Sequence, residues 1–267
     1  RSVGAVATQS FSNPAFGPQG LQMMKTGLDA PTTLKALLDS DEGKHYRQVG
    51  VIDATGTASS FTGNNNIAEA GHIVGRHYAV QANMMKNASV WPAMATAFEN
   101  AKGTLAERML AALEAAQQEG GDIRGKQSAA LLVVSGKPTG KSWIDRMIDL
   151  RVDDAEEPLK ELRRLLKVKT AYDFMNAGDL AIEEGDYAKA SNAYAAAEEM
   201  FPNNLEMQYW HAINLINQGD LKTAMPMLKK IFYANDDWRL LTPRLIKPGI
   251  LQISEEDLQK VMRLKAK

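Results

Sequence analysis

The sequence predicts a mixed α/β (α+β) domain followed by an all-α helical domain. Three observations predict it. Residues 1–155 alternate strand-like and helix-like runs, residues 156–267 carry helical periodicity alone, and the second stretch contains an internal repeat. The change of pattern sets the expected domains at 1–155 and 156–267.

Val3 to Thr8 is a short apolar run that reads as a strand. Pro14, Gly17, Pro18 and Gly20 then mark a turn-rich entry into a helix near 18–26. Asp29 is placed to cap a second helix to about Leu38, with Pro31 in its first turn, where an N–H is not needed. Val49–Asp53 and Thr57–Thr62 flank Ala54-Thr55-Gly56 as a hairpin, and Tyr78–Ala82 is another strand. Asn87 or Ser89 caps a helix containing Pro92. Thr104 with Glu107 three residues on is a capping-box pattern, opening a helix to about Gln118 that Gly120-Gly121 ends. Ser128–Val134 is continuously apolar from Ala129 onward, as expected of a strand covered on both faces. In Met147–Asp153, Ile148, Leu150 and Val152 alternate with Asp149, Arg151 and Asp153, which predicts a strand with one apolar and one charged face.

In the second half, GDYAKA at 185–190 recurs as GDLKTA at 219–224, an offset of 34 residues. That is the tetratricopeptide period. Gly178, Gly185, Tyr187, Ala190, Tyr194, Ala197 and Pro202 fit its small-and-aromatic pattern. The second copy supplies Ala212, Gly219, Leu221, Ala224 and Leu228, with Asp236 in place of the proline. Two helical hairpins are therefore expected, at about 171–204 and 205–236, completed by a capping segment from Asp237 to Leu264. Tyr187, Tyr194, Phe201, Met207 and Trp210 fall at helical spacing and read as core. Repeats of this kind hold a peptide or protein partner in a concave groove.

Composition removes several function classes. Lys and Arg number 31 against 32 Asp and Glu, so no basic field draws the chain to nucleic acid. The longest wholly apolar run, Ala129–Val134, is far short of the roughly 20 residues of a membrane-spanning helix. With no Cys there is no disulfide, thiolate nucleophile or Cys-ligated metal centre. No signal peptide opens the chain. It begins with Arg1 inside a strand-like run rather than with Met, which predicts a preceding segment. An incomplete sheet edge would favour a homo-oligomer.

Few motifs carry chemistry. Ser135-Gly136-Lys137-Pro138-Thr139-Gly140-Lys141-Ser142 nearly matches a phosphate-cradling loop, but Ser135 replaces its first glycine and a strand, not a helix, is expected to follow. It reads as a polar loop between strands. His72 and His77 do not share a face, and Asp149, Asp153 and Asp154 read first as a solvated strand edge. The sequence calls for no cofactor and no metal. Ser2, Thr8, Ser10, Ser12 and Ser128 are nucleophiles by type only. The better site is a set of polar residues at strand ends: Gln81, Asn83, Asp122 and Arg124, with Gln127 nearby.

Seven stretches of the first half, in order, are GAVATQSF (4–11), GPQGL (17–21), RQVGVID (47–53), AEAGH (68–72), VQANMM (80–85), GGDIRGKQSAALLVV (120–134) and DLRVDD (149–154). Together they closely resemble domain-of-unknown-function family 1028, over about residues 1–166. That family is grouped with the N-terminal-nucleophile (Ntn) hydrolases. The resemblance implies an αββα four-layer sandwich and hydrolysis of an amide or related bond. In such enzymes the first residue of the mature chain, Thr, Ser or Cys, is the nucleophile and its own α-amino group the base. The resemblance places that nucleophile on a strand upstream of Arg1, so no residue here is assigned the role. Cleavage after Arg1 would expose Ser2, which the resemblance places inside an internal segment. Ala155 stands where many members carry His. The rival to an amidohydrolase is a non-catalytic binding or assembly protein using the same fold and its helical repeats.

Overall fold

Alternation along GAVATQ turns Val6 and Thr8 to one side of a strand, β1 (Gly4–Gln9). It is the edge of an antiparallel sheet ordered β1-β2-β3, with β2 at Gln48–Asp53 and β3 at Ala58–Thr62. The computed structural model describes residues 3–264, and its chain divides into two compact units, Arg1–Leu165 and Leu166–Lys267.

In the first unit, helices α1 (Phe16–Lys25) and α2 (Ala30–Asp39) cover one face of this sheet. Phe16, Met24, Leu34 and Leu37 close with Val49 and Val51 into a buried core. The start of α2 is fixed twice. Asp29 accepts from the Thr32 N–H at 2.8 Å, and Asp53, ending β2, accepts from the Ala30 N–H at 3.0 Å. Each bond satisfies a first-turn donor that has no partner within the helix.

The opposite face of β2–β3, carrying Gln48 and Gly50, meets a second sheet: β4 (Gly71–Gly75) paired with β5 (Tyr78–Ala82). Strand β4 is absent from the sequence expectation. Its five residues include a glycine at each end and no long apolar run, and pairing with β5 supplies what propensity does not. Helices α3 (Val90–Asn100) and α4 (Leu105–Gln118) pack together beyond β4–β5, where Tyr78, Val80, Ala95, Phe98 and Ala112 form the core. The reciprocal capping box of Thr104 and Glu107 opens α4.

The last two strands, β6 (Ala129–Val134) and β7 (Arg146–Val152), form their own hairpin, entered through a one-turn helix α5 (Ser142–Asp145). Here one expectation fails. Strand β6 is covered on one face only: Leu131 is 2% exposed, but Leu132 and Val134 are 52% and 53% exposed. A two-stranded sheet has one face to bury, and apolar composition alone does not say that both are covered. The alternation in β7 is as expected, with Ile148 and Leu150 on the face shared with Leu131 and Val133, and Asp149 and Arg151 opposite.

The helix α6 (Pro158–Glu183) runs into the second unit. There α7 (Tyr187–Met200), α8 (Leu205–Asn217) and α9 (Leu221–Ala234) follow as antiparallel helices. The repeat is visible in the caps. Asp186 accepts from the Lys189 N–H, and Asp220, 34 residues on, from the Thr223 N–H. Gly178 shows why the pattern needs a small residue, since a Cβ there would lie 2.5 Å from the Tyr194 ring. The Tyr194 hydroxyl donates to Asp179 at 2.7 Å. Ala212, Ala224 and Leu228 are wholly buried in the second hairpin's core. Leu251 and Val261, the latter in α11 (Glu255–Met262), close that core, and α10 (Asp237–Leu241) precedes them. Asp236, standing at the proline position, forms a bidentate pair with Arg239. Among the described residues no helix is long and apolar enough to cross a membrane.

Adjacent residues of β6 give a direct test of its one-sided burial. Leu131→Ala should lower stability by about 2–5 kcal/mol and Leu132→Ala by under about 1 kcal/mol, measured by urea unfolding. Equal costs would mean that both faces of the strand are covered.

Candidate functional site

The chain leaves β5 through Asn83 and Met84, the latter at φ +56°. That backbone bend turns it against the segment following α4. The Lys86 N–H donates to the Gly121 carbonyl and the Ile123 N–H to the Met84 carbonyl, at 2.9 and 3.0 Å. Two residues near the end of β5 are thereby set beside two that follow α4. Gln81, Asn83, Asp122 and Arg124, far apart in sequence, line one cavity of about 630 Å³. Gln9, Lys126, Gln127 and Ser128 line it as well.

The four play different parts. Asp122 accepts three bonds from Arg124: backbone N–H at 2.8 Å, Nε at 3.0 Å and a terminal nitrogen at 2.6 Å. The guanidinium bonds, helped by the backbone N–H, hold the Asp122 carboxyl below the usual carboxylate range. It is therefore ionised at neutral pH and is no general acid. Arg124 is 68% exposed, so the pair sits at the rim. Gln81 lies deeper, between the sheets. Its Oε1 accepts from the Ser60 hydroxyl at 3.1 Å, and its Nε2 donates to the Ala7 carbonyl at 3.4 Å. Gly50 makes room for it: a Cβ there would lie 2.8 Å from Gln81 Oε1. Asn83 donates through Nδ2 to Gln48 Oε1 at 3.0 Å.

Gln9, which lines the cavity, and Gln48, which lies directly behind it, are residues that sequence reasoning missed. Gln48 is wholly buried, and Gln9 donates to it at 2.6 Å. The signal was present in RQVGVID. Period-two alternation puts Gln48 and Gly50 on the face opposite Val49 and Val51. A long polar residue beside a glycine is an odd pair for the inner face of a strand.

Other sequence candidates are placed elsewhere. The Thr8 hydroxyl is buried without a hydrogen-bond partner among the described residues. Ser12 is exposed, Ser10 takes φ +55°, and Ser2 lies outside the described residues. The Asp145 carboxylate fills the loop before β7, accepting from the Thr139 N–H at 2.7 Å and the Thr139 hydroxyl at 2.9 Å. The loop thus binds its own anion. Asp149 is paired with Arg146 and Arg151, and His77 contacts the Gly56 carbonyl. No group of three or more metal-ligating side chains is gathered among the described residues. His72 lies on β4 with Nδ1 2.8 Å from the Thr62 hydroxyl, and burial lowers its pKa from the ordinary 6.5.

Residues 1–162 match the model of a family of unknown function, DUF1028. The chain belongs to the DUF1028 family. Residues 181–242 match a tetratricopeptide-repeat model. The crystal structure of protein SPO2555 from Silicibacter pomeroyi, described by the same DUF1028 model, is similar with a TM-score of 0.54 and 28% identity, over 62% of this chain and 71% of that one. No curated protein matches the chain significantly. The DUF1028 match spans all the residues that line the cavity.

Burial of His72 has a pH consequence. Its pKa is lower folded than unfolded, so protons bind the unfolded chain more readily. Stability is therefore unaffected above 6.5 and falls as pH drops below it, by at most about 1.4 kcal/mol per pH unit from this group. Urea unfolding at pH 7.5 and 5.5 should show that loss, and His72→Gln should reduce it. An unchanged difference between the two pH values in the variant would remove His72 as the cause.

Proposed function

We propose that the DUF1028 unit is an Ntn-hydrolase-like αββα sandwich that hydrolyses an amide or related bond, joined to a helical region that holds a peptide or protein partner. The observation that carries the reading is the cavity itself. It gathers neutral amides beneath a charged rim, at the ends of strands from two facing sheets. The packing of α1–α2, β1–β3, β4–β5 and α3–α4 against one another supports the layered fold. In this reading residues 1–155 carry the chemistry and 156–267 the binding, through repeats at about 171–204 and 205–236.

The chemistry divides as follows. The nucleophile in this reading is the first residue of the mature chain, and its own α-amino group takes the proton. Amide N–H groups in the cavity stabilise the oxygen that gains charge as the carbonyl is attacked. The Asp122–Arg124 pair holds a polar group of the substrate at the rim. Ala155, where the resemblance expects His in many members, brings no imidazole to that position. The second reading, a non-catalytic assembly protein, is favoured by the 34-residue repeat and its family match.

The test is the intact mass and N-terminal residue of the native protein, followed by amine release from a panel of amides. The hydrolase reading expects a terminal Thr, Ser or Cys and turnover that falls roughly 10²-fold in Asn83→Ala. A different terminal residue with no turnover would leave the assembly reading. Turnover unchanged in both Asn83→Ala and Asp122→Ala would place the chemistry outside this cavity.

A further inference from the structure

Gln48 lies behind the cavity rather than in its lining, and it is 0% exposed. One end of its carboxamide lies 2.9 Å from the Thr62 hydroxyl, 2.9 Å from the Ala82 carbonyl and 3.1 Å from the Gly71 carbonyl. Two of these partners only accept, so that end is the nitrogen. The other end is therefore an oxygen, which can only accept. Against it lie Gln9 Nε2 at 2.6 Å and Asn83 Nδ2 at 3.0 Å. Both must turn their NH₂ groups toward Gln48. Each NH₂ carries two hydrogens, and Gln48 takes one from each.

We propose that the second N–H of Gln9 and the second N–H of Asn83 form a two-donor hole for a carbonyl or carboxylate oxygen, with Gln48 as the residue that positions both. Gln9 and Asn83 both line the cavity, and no other side-chain bond engages either amide among the described residues. Gln81, the other amide of the cavity, is committed to Ser60 and Ala7 and is not part of the hole. The donors are neutral and held in place before a ligand arrives, which suits an oxygen carrying partial or developing negative charge. An NH₂ swung round by an amide flip would set two carbonyl oxygens against Gln48 Oε1, so the buried partner enforces the donor orientation of both. This inference rests on the cavity being a binding site and not on its being hydrolytic.

The experiment is an acetate titration of the full ¹⁵N-labelled chain at pH 7, followed through the side-chain amide signals of Gln9, Asn83 and Gln48 by NMR. The hole expects saturable shifts of the Gln9 and Asn83 amides. Asn83→Asp, which replaces a donor by a like charge, should weaken acetate binding at least tenfold. Gln48→Met should abolish the Gln9 and Asn83 shifts while the backbone spectrum stays folded. Amide signals of Gln9 and Asn83 that do not move with acetate would overturn the proposal. So would a folded Gln48→Met chain that shows the same shifts as the parent. If Gln48→Met does not fold, the parent titration and Asn83→Asp decide. Acetate binding by a native protein that lacks a terminal Thr, Ser or Cys and shows no turnover would keep the hole and sink the hydrolase reading. Turnover by the native protein with unmoved Gln9 and Asn83 amides would do the reverse.

Discussion

The first unit depends on how a single buried carboxamide is satisfied. Gln48 projects from β2 toward β4–β5 and bonds to the Gly71 and Ala82 carbonyls of that second sheet, as well as to Thr62, Gln9 and Asn83. An unpaired buried amide would cost about 1–3 kcal/mol. Every one of its partners must therefore stay in register. That requirement ties three things together: the pairing of β1 with β2, the approach of β4–β5, and the position of the chain as it leaves β5. The outer faces of the two sheets close with apolar side chains, while the seam carrying Gln48 and Gln81 is polar. Apolar packing tolerates small slips, but a network of directed hydrogen bonds does not. The seam thus sets the relative placement of the sheets more sharply than the cores outside it.

How much of this could be read from the sequence depends on the range of the interaction. Local signals were legible. The Thr104–Glu107 box, Asp29 before Pro31, and the 34-residue offset of the second unit each involve a few residues whose chemistry acts within one turn or one repeat. Strand β4 was not legible, because GHIVG gains its conformation from β5. The two-sided burial expected of β6 was wrong for the same reason: Leu131 and Leu132 are identical in composition and opposite in environment. For the cavity, the strand-end rule found Gln81, Asn83, Asp122 and Arg124, which the structure brings together. It missed Gln9 and Gln48, which sit in strands that looked like framework. No local feature connects residues 9, 48 and 83, which meet only when the two sheets do.

The charges around the cavity are arranged so that its interior stays neutral. Asp122 and Arg124 neutralise one another at the rim, and Lys126 is paired with Glu157 at 2.7 Å. Within, amides supply dipoles. Exposed pairs of this kind contribute little to stability, about 0–1 kcal/mol each. Their effect is to leave no net charge to compete with the amides for the oxygen of a ligand. A cationic interior would bind a carboxylate in its ground state and hold it there. Neutral, fixed donors discriminate instead by how much charge the oxygen carries.

That distinction bears on the choice between hydrolase and assembly protein. A groove that only grips a partner gains from broad apolar contact, which the helical unit can provide through its repeats. The cavity of the first unit sets several directed donors among apolar walls that include Val90, Met94, Leu113 and Leu159. Directed donors cost conformational freedom to hold in place, and here a wholly buried glutamine is devoted to holding two of them. Such an arrangement repays itself where the oxygen being bound changes its charge during a reaction. The fixed donors, rather than any lack of apolar surface, are thus what support the hydrolase reading proposed for the first unit, as the repeats support the binding reading proposed for the second.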